Sequence, residues 1–409
     1  MRDSAEIQWT EVRNVGDVRM GKQLSPAARD APGKFPYLRV ANVHLGRINY
    51  ADVNTMGFTG AERKAYGLKP GDILLNEGQS LELVGRSAIY DGAEGEFCFQ
   101  NTLIRFRPGA DVLPAYAQVV FERWLATGVF AAIAKQTTSI AHLGGDRFAA
   151  LLFPLIPVVA QRRIVEVLTS LTELERGIEA SITKLRNLRQ GALLTSMGSV
   201  ASSRPSAGWN RVPLKEIVPS AEYGISEALD GDARGVPVLR MNNIQSARID
   251  ADGLRYCPVQ VSSKLFLRRG DVLFNRTNSM EHIGKAAMWR DELPSATFAS
   301  YLVRLVPDLN RVTPEYLVEW LMHPLVRQRV RSISTVAVQQ VNVNPSRLRE
   351  LEIDLPVDLA EQRRIVATLE ACDEQIGREE EELKKLRELK QGLMDDLLSG
   401  RVTASGMAA

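Results

Sequence analysis

Two polar runs carry the side chains best suited to hydrogen-bonded recognition. They are Asn76-Glu77-Gly78-Gln79-Ser80 and Asn275-Arg276-Thr277-Asn278-Ser279, each following a short aliphatic run. Their amides and guanidinium group offer the paired donors and acceptors that match base edges, Asn and Gln for adenine and Arg for guanine. The same residue types dominate ordinary surface turns, so composition leaves both readings open. Arg39, Asn42, Arg240, Asn242 and Asn243 flank expected strand ends and are candidates of the same kind, although either arginine could equally hold a structural carboxylate. A third cluster sets Lys135, Gln136, Thr137 and Thr138 against Gln339 and Gln340, with Asn342 and Asn344 close behind. Arg86 and Lys285, beside Gly85 and Gly284, suit phosphate contacts, which position a protein without carrying sequence information.

Side chains for catalysis form no motif. Gly284-Lys285 is followed by Ala286, lacking the hydroxyl and the upstream glycine of a phosphate-binding loop, and neither GxGxxG after a strand nor HExxH occurs. Asn344-Pro345-Ser346 lacks the aromatic context of an amino-methyltransferase. His44, His142, His282 and His323 are scattered without Cys or Ser at motif spacing, as surface or core histidines are. Cys98, Cys257 and Cys372 lie far apart and read as reduced thiols, encoding neither a disulfide framework nor a zinc site. No catalysis, cofactor or metal is expected.

The elements that position these residues come from a chain of 409 residues, enough for two or three domains. Hydrophobic residues at 45% and charged residues at 24% argue against disorder and against a membrane protein. The start MRDSAEIQWTEV is charged where a signal peptide is apolar, and the longest apolar run, 148–160, is broken by Pro154 and Pro157. A cytoplasmic, soluble protein is expected. The net charge of +2 permits nucleic acid without demanding it.

The chain is written twice. AQRRIVEVL at 160–168 returns as EQRRIVATL at 361–369, an offset of 201 that also aligns Leu185-Arg-Asn-Leu-Arg-Gln-Gly191 with Leu386-Arg-Glu-Leu-Lys-Gln-Gly392. Upstream the copies have diverged. Trp9 matches Trp209, and LKPGDILLN at 68–76 pairs with LRRGDVLFN at 267–275, at an offset of 199. Each half is therefore a globular part followed by a QRRIV segment.

The globular parts show short β-branched or aliphatic runs broken by Gly, Pro and Asn, as in an irregular sheet, with helices over 114–134 and 314–330 that begin at proline. The QRRIV segments contain no proline for over thirty residues. Leu369, Cys372, Ile376, Leu383, Leu386, Leu393 and Leu397 form a heptad-like seam interrupted by Glu379 and Lys390, and Leu168, Leu171, Ile178, Ile182, Leu185 and Ala192 form another interrupted by Glu175 and Arg189. Gly198 and Gly400 mark the expected helix ends. Thirty-eight or so residues make a rod of roughly 57 Å, and each seam finds a complementary partner in the other. Antiparallel pairing would give a pseudo-twofold chain whose two heads meet two half-sites of a duplex. The seam alone fits a docking scaffold equally well.

These motifs carry a resemblance. Two diverged units, each closing on a proline-containing strand end (PLIPVVAQRRIV at 154–165, DLPVDLAEQRRIV at 354–366) and followed by a long helix, the second ending LKQGLMDDLLSG, resemble the specificity subunit of Type I restriction-modification enzymes over almost the whole chain. Ala160 departs from the glutamate usual in that family. The resemblance implies an α+β fold with target recognition domains at 1–158 and 199–358, spacer helices at 159–198 and 359–400 paired as an antiparallel coiled coil, and a tail at 401–409. It further implies a non-catalytic subunit that reads an asymmetric bipartite sequence in double-stranded DNA through loops such as 76–80 and 275–279. The helices would dock two methyltransferase (M) subunits, with endonuclease/translocase (R) subunits joining through that core, and no membrane is involved. Residues 361–409 carry a net charge of −3, leaving +5 on the rest. So modest an excess implies that partners supply much of the non-specific attraction to DNA. The alternative is a duplicated scaffold that joins proteins through its helices and never reads DNA.

Overall fold

The computed structural model describes residues 7–31, 33–136, 139–336 and 340–401. Strict alternation in the aliphatic runs builds the central sheet of the first unit. Strands Gly16–Met20, Leu103–Pro108, Ile73–Asn76 and Ser87–Ile89 lie in that order, all antiparallel. Ile73, Leu75, Ile104 and Phe106 face one core with Phe121, Phe148 and Phe153, while Leu74, Ala88 and Leu103 face a second with Leu38, Tyr90 and Phe99. A period of two thus feeds both faces of one sheet. The second unit repeats the order with Ser220–Tyr223, Leu302–Val306, Val272–Asn275 and Ala286–Met288. Beside each lies a three-stranded sheet with one parallel pair, centred on Lys34–Leu38 or on Val236–Leu239.

The helices expected at 114–134 and 314–330 are each two. Pro114–Ala126 stops before Gly128, whose left-handed φ of 76° turns the chain into Val129–Ile133. Pro314–Met322 gives way at His323 to Pro324–Ser332, because Pro324 lacks the N–H that would continue the first helix.

Two long helices, Val158–Ser196 and Leu359–Ser399, follow the QRRIV motifs. Contacts divide the chain into two compact units, residues 1–179 with 382–409 and residues 180–381, so each unit holds a part of both helices. This differs from the linear division into head, helix, head and helix. Antiparallel pairing causes it: in the first unit Arg387 bonds Glu179 and Lys390 reaches Glu175 at 3.2 Å, and in the second Arg186 reaches Glu380 at 2.6 Å and Arg189 reaches Asp373 at 2.6 Å. Two of the polar breaks in the seams, Glu175 and Lys390, are thus each other's partners. Ile164, Leu168, Met394, Leu397 and Leu398 join the core of the first unit, and Leu193, Ile365 and Leu369 that of the second. Gly400 ends the second helix with a left-handed φ of 77°, as its position predicts, whereas Gly198 opens a short 3-10 turn instead. No described helix is long and apolar enough to cross a membrane.

The repeated motifs prove to be structural. Gln161 is fully buried, donating from Nε2 to the carbonyls of Asp111 (2.7 Å) and Ile156 (2.8 Å) while its Oε1 accepts from the Leu113 amide (2.8 Å). Gln362 repeats the arrangement on Arg311, Pro356 and Thr313. Each glutamine clamps the first turn of a long helix to the loop before a head helix. Gln161→Ala strands three backbone groups at once and is expected to cost about 2–4 kcal/mol, read as a lower urea midpoint for the full chain. In the Gly-Asp motif, Gly71 and Gly270 take φ of 90° and 92°. Asp72 then accepts from the Lys69 amide and from both Nε and Nη2 of Arg107, and Asp271 from the Arg268 amide and Arg304. The Ala160 departure also has a local consequence: Trp209 donates to Glu361 (3.1 Å), while Trp9, at the matching strand position, has no carboxylate at 160 and stands 49% exposed.

Candidate nucleic-acid interface

The strand Ile73–Asn76 runs on into Gly78–Gln79, which pairs with Ala141–His142, itself paired with Lys135–Gln136. The second unit builds the same three-stranded sheet from Thr277–Asn278, Val341–Asn342 and Thr335–Val336. The first and third of the candidate clusters therefore meet on one small sheet in each unit. Lys135, Gln136, Ser279 and Gln340 are exposed there, and Gln79, Ser80 and Asn278 are half-buried. Thr137, Thr138 and Gln339 lie outside the described residues.

Several candidates are hydrogen-bonded within the chain. Asn42 is buried, accepting from the Arg39 amide (3.0 Å) and donating to the carbonyls of Asn49 (2.9 Å) and Asp52 (2.8 Å). Asn243 does the same with Arg240, Asp250 and Asp252. The Arg-x-x-Asn pattern is a turn lock, and the arginines are held too, Arg39 by Asp52 (2.7 Å) and Arg240 by the Gly253 carbonyl (2.8 Å). Asn76 and Asn275 are fully buried, their Nδ2 groups 3.5 Å from the carbonyls of Val43 and Met241. Thr277 is buried and donates to Asn342 (2.5 Å). Asn42 and Asn243 satisfy backbone groups a few residues away, whereas Oδ1 of Asn76 and of Asn275 is buried without a partner among the described residues.

Other candidates remain presented. Asn242 is exposed. Arg86 is half-buried, and burial holds its guanidinium below the ordinary arginine range. Lys285 turns toward Gln245 (3.1 Å) on a neighbouring hairpin. Arg276 lies 5.0 Å from the ring of Tyr223, an arrangement that attracts a cation to the π face. Tyr223 and Tyr301 are 50% and 47% exposed.

Three features of this surface escape the sequence reading. Glu77 faces His142, whose Nδ1 lies 3.0 Å from the carboxylate, and Arg147 donates to the His142 carbonyl (2.6 Å). In the second unit Arg327 donates to the carbonyls of Glu281 and Ile283, beneath the loop that follows Ser279. The offset of 199 already set Glu77 opposite Arg276, and that opposition was the signal available.

Chemically, each small sheet presents amide, hydroxyl and charged groups on a fixed backbone, with the Glu77–His142 pair among them in the first unit. Among the described residues no His, Cys, Asp and Glu cluster is placed to hold a metal. Two such heads, each continued by a long helix, define a duplicated recognition architecture. The chain belongs to the family of the Type I restriction modification DNA specificity domain, whose family model matches it twice, over residues 6–184 and 207–388.

Among curated relatives it is similar to the putative type I restriction enzyme MjaX specificity subunit of Methanocaldococcus jannaschii, 31% identical over 194 residues that cover 47% of this chain and 45% of that one. The EcoKI specificity subunit of Escherichia coli K12 is 24% identical over 190 residues, 45% of this chain and 39% of that one. These matches thus span less than half the length of either relative. Among solved structures, the HsdS subunit from Thermoanaerobacter tengcongensis has 18% identity and a TM-score of 0.52, covering 97% of both chains. A chain of a type I R-M system has 18% identity and a TM-score of 0.63, covering 96% of this chain and 97% of that one. They establish the α+β fold with two similar heads and two long, antiparallel helices.

Proposed function

We propose that this chain is the sequence-reading subunit of a Type I restriction-modification complex, acting in the cytoplasm on double-stranded DNA. Each unit reads one half of an asymmetric bipartite target. The paired helices space the two readings and dock two methyltransferase subunits, through which endonuclease/translocase subunits join. The chain itself performs no chemistry; it chooses where the partners act.

The observation that carries this reading is the pair of small sheets with one backbone and two sets of side chains. A fold kept twice while its presented residues diverge suits two different ligands of one chemical class, such as two base sequences. Of the earlier candidates, Gln79, Ser80, Arg86, Lys135, Gln136, Asn242, Arg276, Asn278, Ser279, Lys285 and Gln340 stand as base or phosphate contacts in this reading. Sites of that kind combine a few base contacts with many phosphate contacts.

The test is the methylation pattern of genomic DNA from cells expressing the chain with its neighbouring methyltransferase, read by sequencing that reports modified bases in context. A split, asymmetric motif is expected, and exchanging residues 1–150 for those of another specificity subunit should change one half of it. A stably assembled complex that leaves no motif would support the scaffold reading instead.

A further inference from the structure

The repeat supplies an internal control that separates what the fold needs from what it leaves free. Residues 77 and 276 sit in the same backbone cradle. The Glu77 amide donates to Thr102 O (2.9 Å) and its carbonyl accepts from Leu143 N (2.8 Å). The Arg276 amide donates to the equivalent Tyr301 O (3.1 Å) and its carbonyl accepts from the equivalent Val343 N (2.8 Å). On either side the match continues. Asn76 and Asn275 donate from their amides to the carbonyls of Arg86 and Lys285, and Ser80 and Ser279 accept from the amides of Val84 and Ile283. Four matched pairs of hydrogen bonds thus hold two segments in one conformation, and on them the side chain reverses its charge.

The surroundings reverse with it. Beside Glu77, whose side chain is 14% exposed, stands the 48% exposed His142 with Nδ1 3.0 Å from one carboxylate oxygen, Oε2; the counterpart of His142 is the amide Asn342, bonded to Thr277. Beside Arg276 stand the exposed rings of Tyr223 and Tyr301, whose counterparts in the first unit are Met20 and Thr102. The backbone accepts either sign at this position, and each side chain keeps a neighbour that suits it, His142 for Glu77 and Tyr223 for Arg276. Two ligands of opposite hydrogen-bonding character would suit the two positions in the same way.

The geometry points to residues 77 and 276 as matched specificity determinants: Glu77 selects a base that presents an amino group in the major groove, cytosine first, and Arg276 selects guanine. A carboxylate only accepts hydrogen bonds, which suits the cytosine N4 amino group and opposes the acceptor edge of guanine; a guanidinium only donates, which suits guanine O6 and N7. The Arg276 guanidinium lies 5.0 Å from the Tyr223 ring centroid and donates from Nη1 to the Ser300 carbonyl at 3.4 Å, which leaves Nη2 for a ligand. This inference rests on the DNA-reading function proposed above and adds to it the base class at one position in each half-site.

The test uses the full chain assembled with its methyltransferase in cells and reads the modified motif. Glu77→Gln keeps the size of the side chain and adds a donor; Arg276→Lys keeps the charge and removes the fork. Each is expected to relax preference at one position only, in opposite halves, with discrimination there falling roughly ten- to hundredfold. A wild-type bipartite motif that both variants leave unchanged, or that both weaken uniformly over every position, overturns the assignment while leaving the DNA-reading function standing. Absence of any wild-type motif overturns that function itself. Should either variant fail to accumulate, Glu77→Asp and Arg276→Gln replace it, with complex yield measured by co-purification. A loss of yield with unaltered base preference would mark a purely structural residue and sink the proposal.

Discussion

Arg189→Ala is expected to lower the stability of the second unit by about 2–4 kcal/mol, since breaking a buried ion pair strands its partner, discounted because Arg189 retains some access to water. Arg189 donates to Asp373 from Nε (2.6 Å) and Nη2 (3.0 Å) and to Glu319 from Nη2 (2.7 Å). Its side chain is 20% exposed and that of Glu319 only 9%, so alanine leaves a buried carboxylate facing Asp373 without the guanidinium that bonds both. The effect depends on pH with a definite sign. Burial pushes the Glu319 carboxyl above its ordinary value even with Arg189 present. A carboxyl whose folded value is raised binds more protons folded than unfolded, so stability falls as pH rises from the ordinary carboxylate range through the folded value. Without Arg189 that value rises further. Urea unfolding of wild type and variant from pH 4 to pH 8 should show the deficit smallest at the acid end and growing toward neutrality. A deficit independent of pH would mean that Arg189 acts through packing alone.

The duplication, the two long helices and the strand cores were legible because they rest on period and identity, which a single sequence displays. Ile73, Leu74 and Leu75 alternate between two cores, as their spacing requires. The roles of particular polar residues were less legible, for a physical reason. Asn42 and Asn243 are matched amides, yet matching between two diverged copies marks what the fold reuses, and both are turn locks. The same holds for Gln161 and Gln362, whose clamp on the helix start explains why QRRIV returns almost unchanged. Side chains that serve different ligands in the two units should differ at matched positions, as Glu77 and Arg276 do. Neither position announces itself in isolation; the backbone hydrogen bonds that make them equivalent come from segments far apart in the chain, Thr102 with Leu143 and Tyr301 with Val343.

Inserting four residues into both helices, after Ala180 and after Glu381, is expected to lengthen the gap between half-sites while leaving both halves unchanged. Those positions are equivalent in the repeat and fall where one compact unit gives way to the other. Four residues add about 6 Å to each helix, close to two base-pair steps at roughly 3.4 Å each. They also turn the helix about 40° beyond a full turn, which in a duplex of roughly 10 base pairs per turn corresponds to a single step. Length therefore favours two extra base pairs and phase favours one, so the preferred gap should grow by one or two. The seams tolerate the change, because a four-residue insertion into a seam of three- and four-residue steps is a local unwinding rather than a break. A seven-residue insertion keeps the seam in register and adds about 10 Å, for which three extra base pairs are expected. Modified-base sequencing measures both outcomes in the same cells. If the gap stays at its wild-type length while the complex assembles and both half-sites persist, the helices do not set the spacing, and their length serves the docking of partners alone.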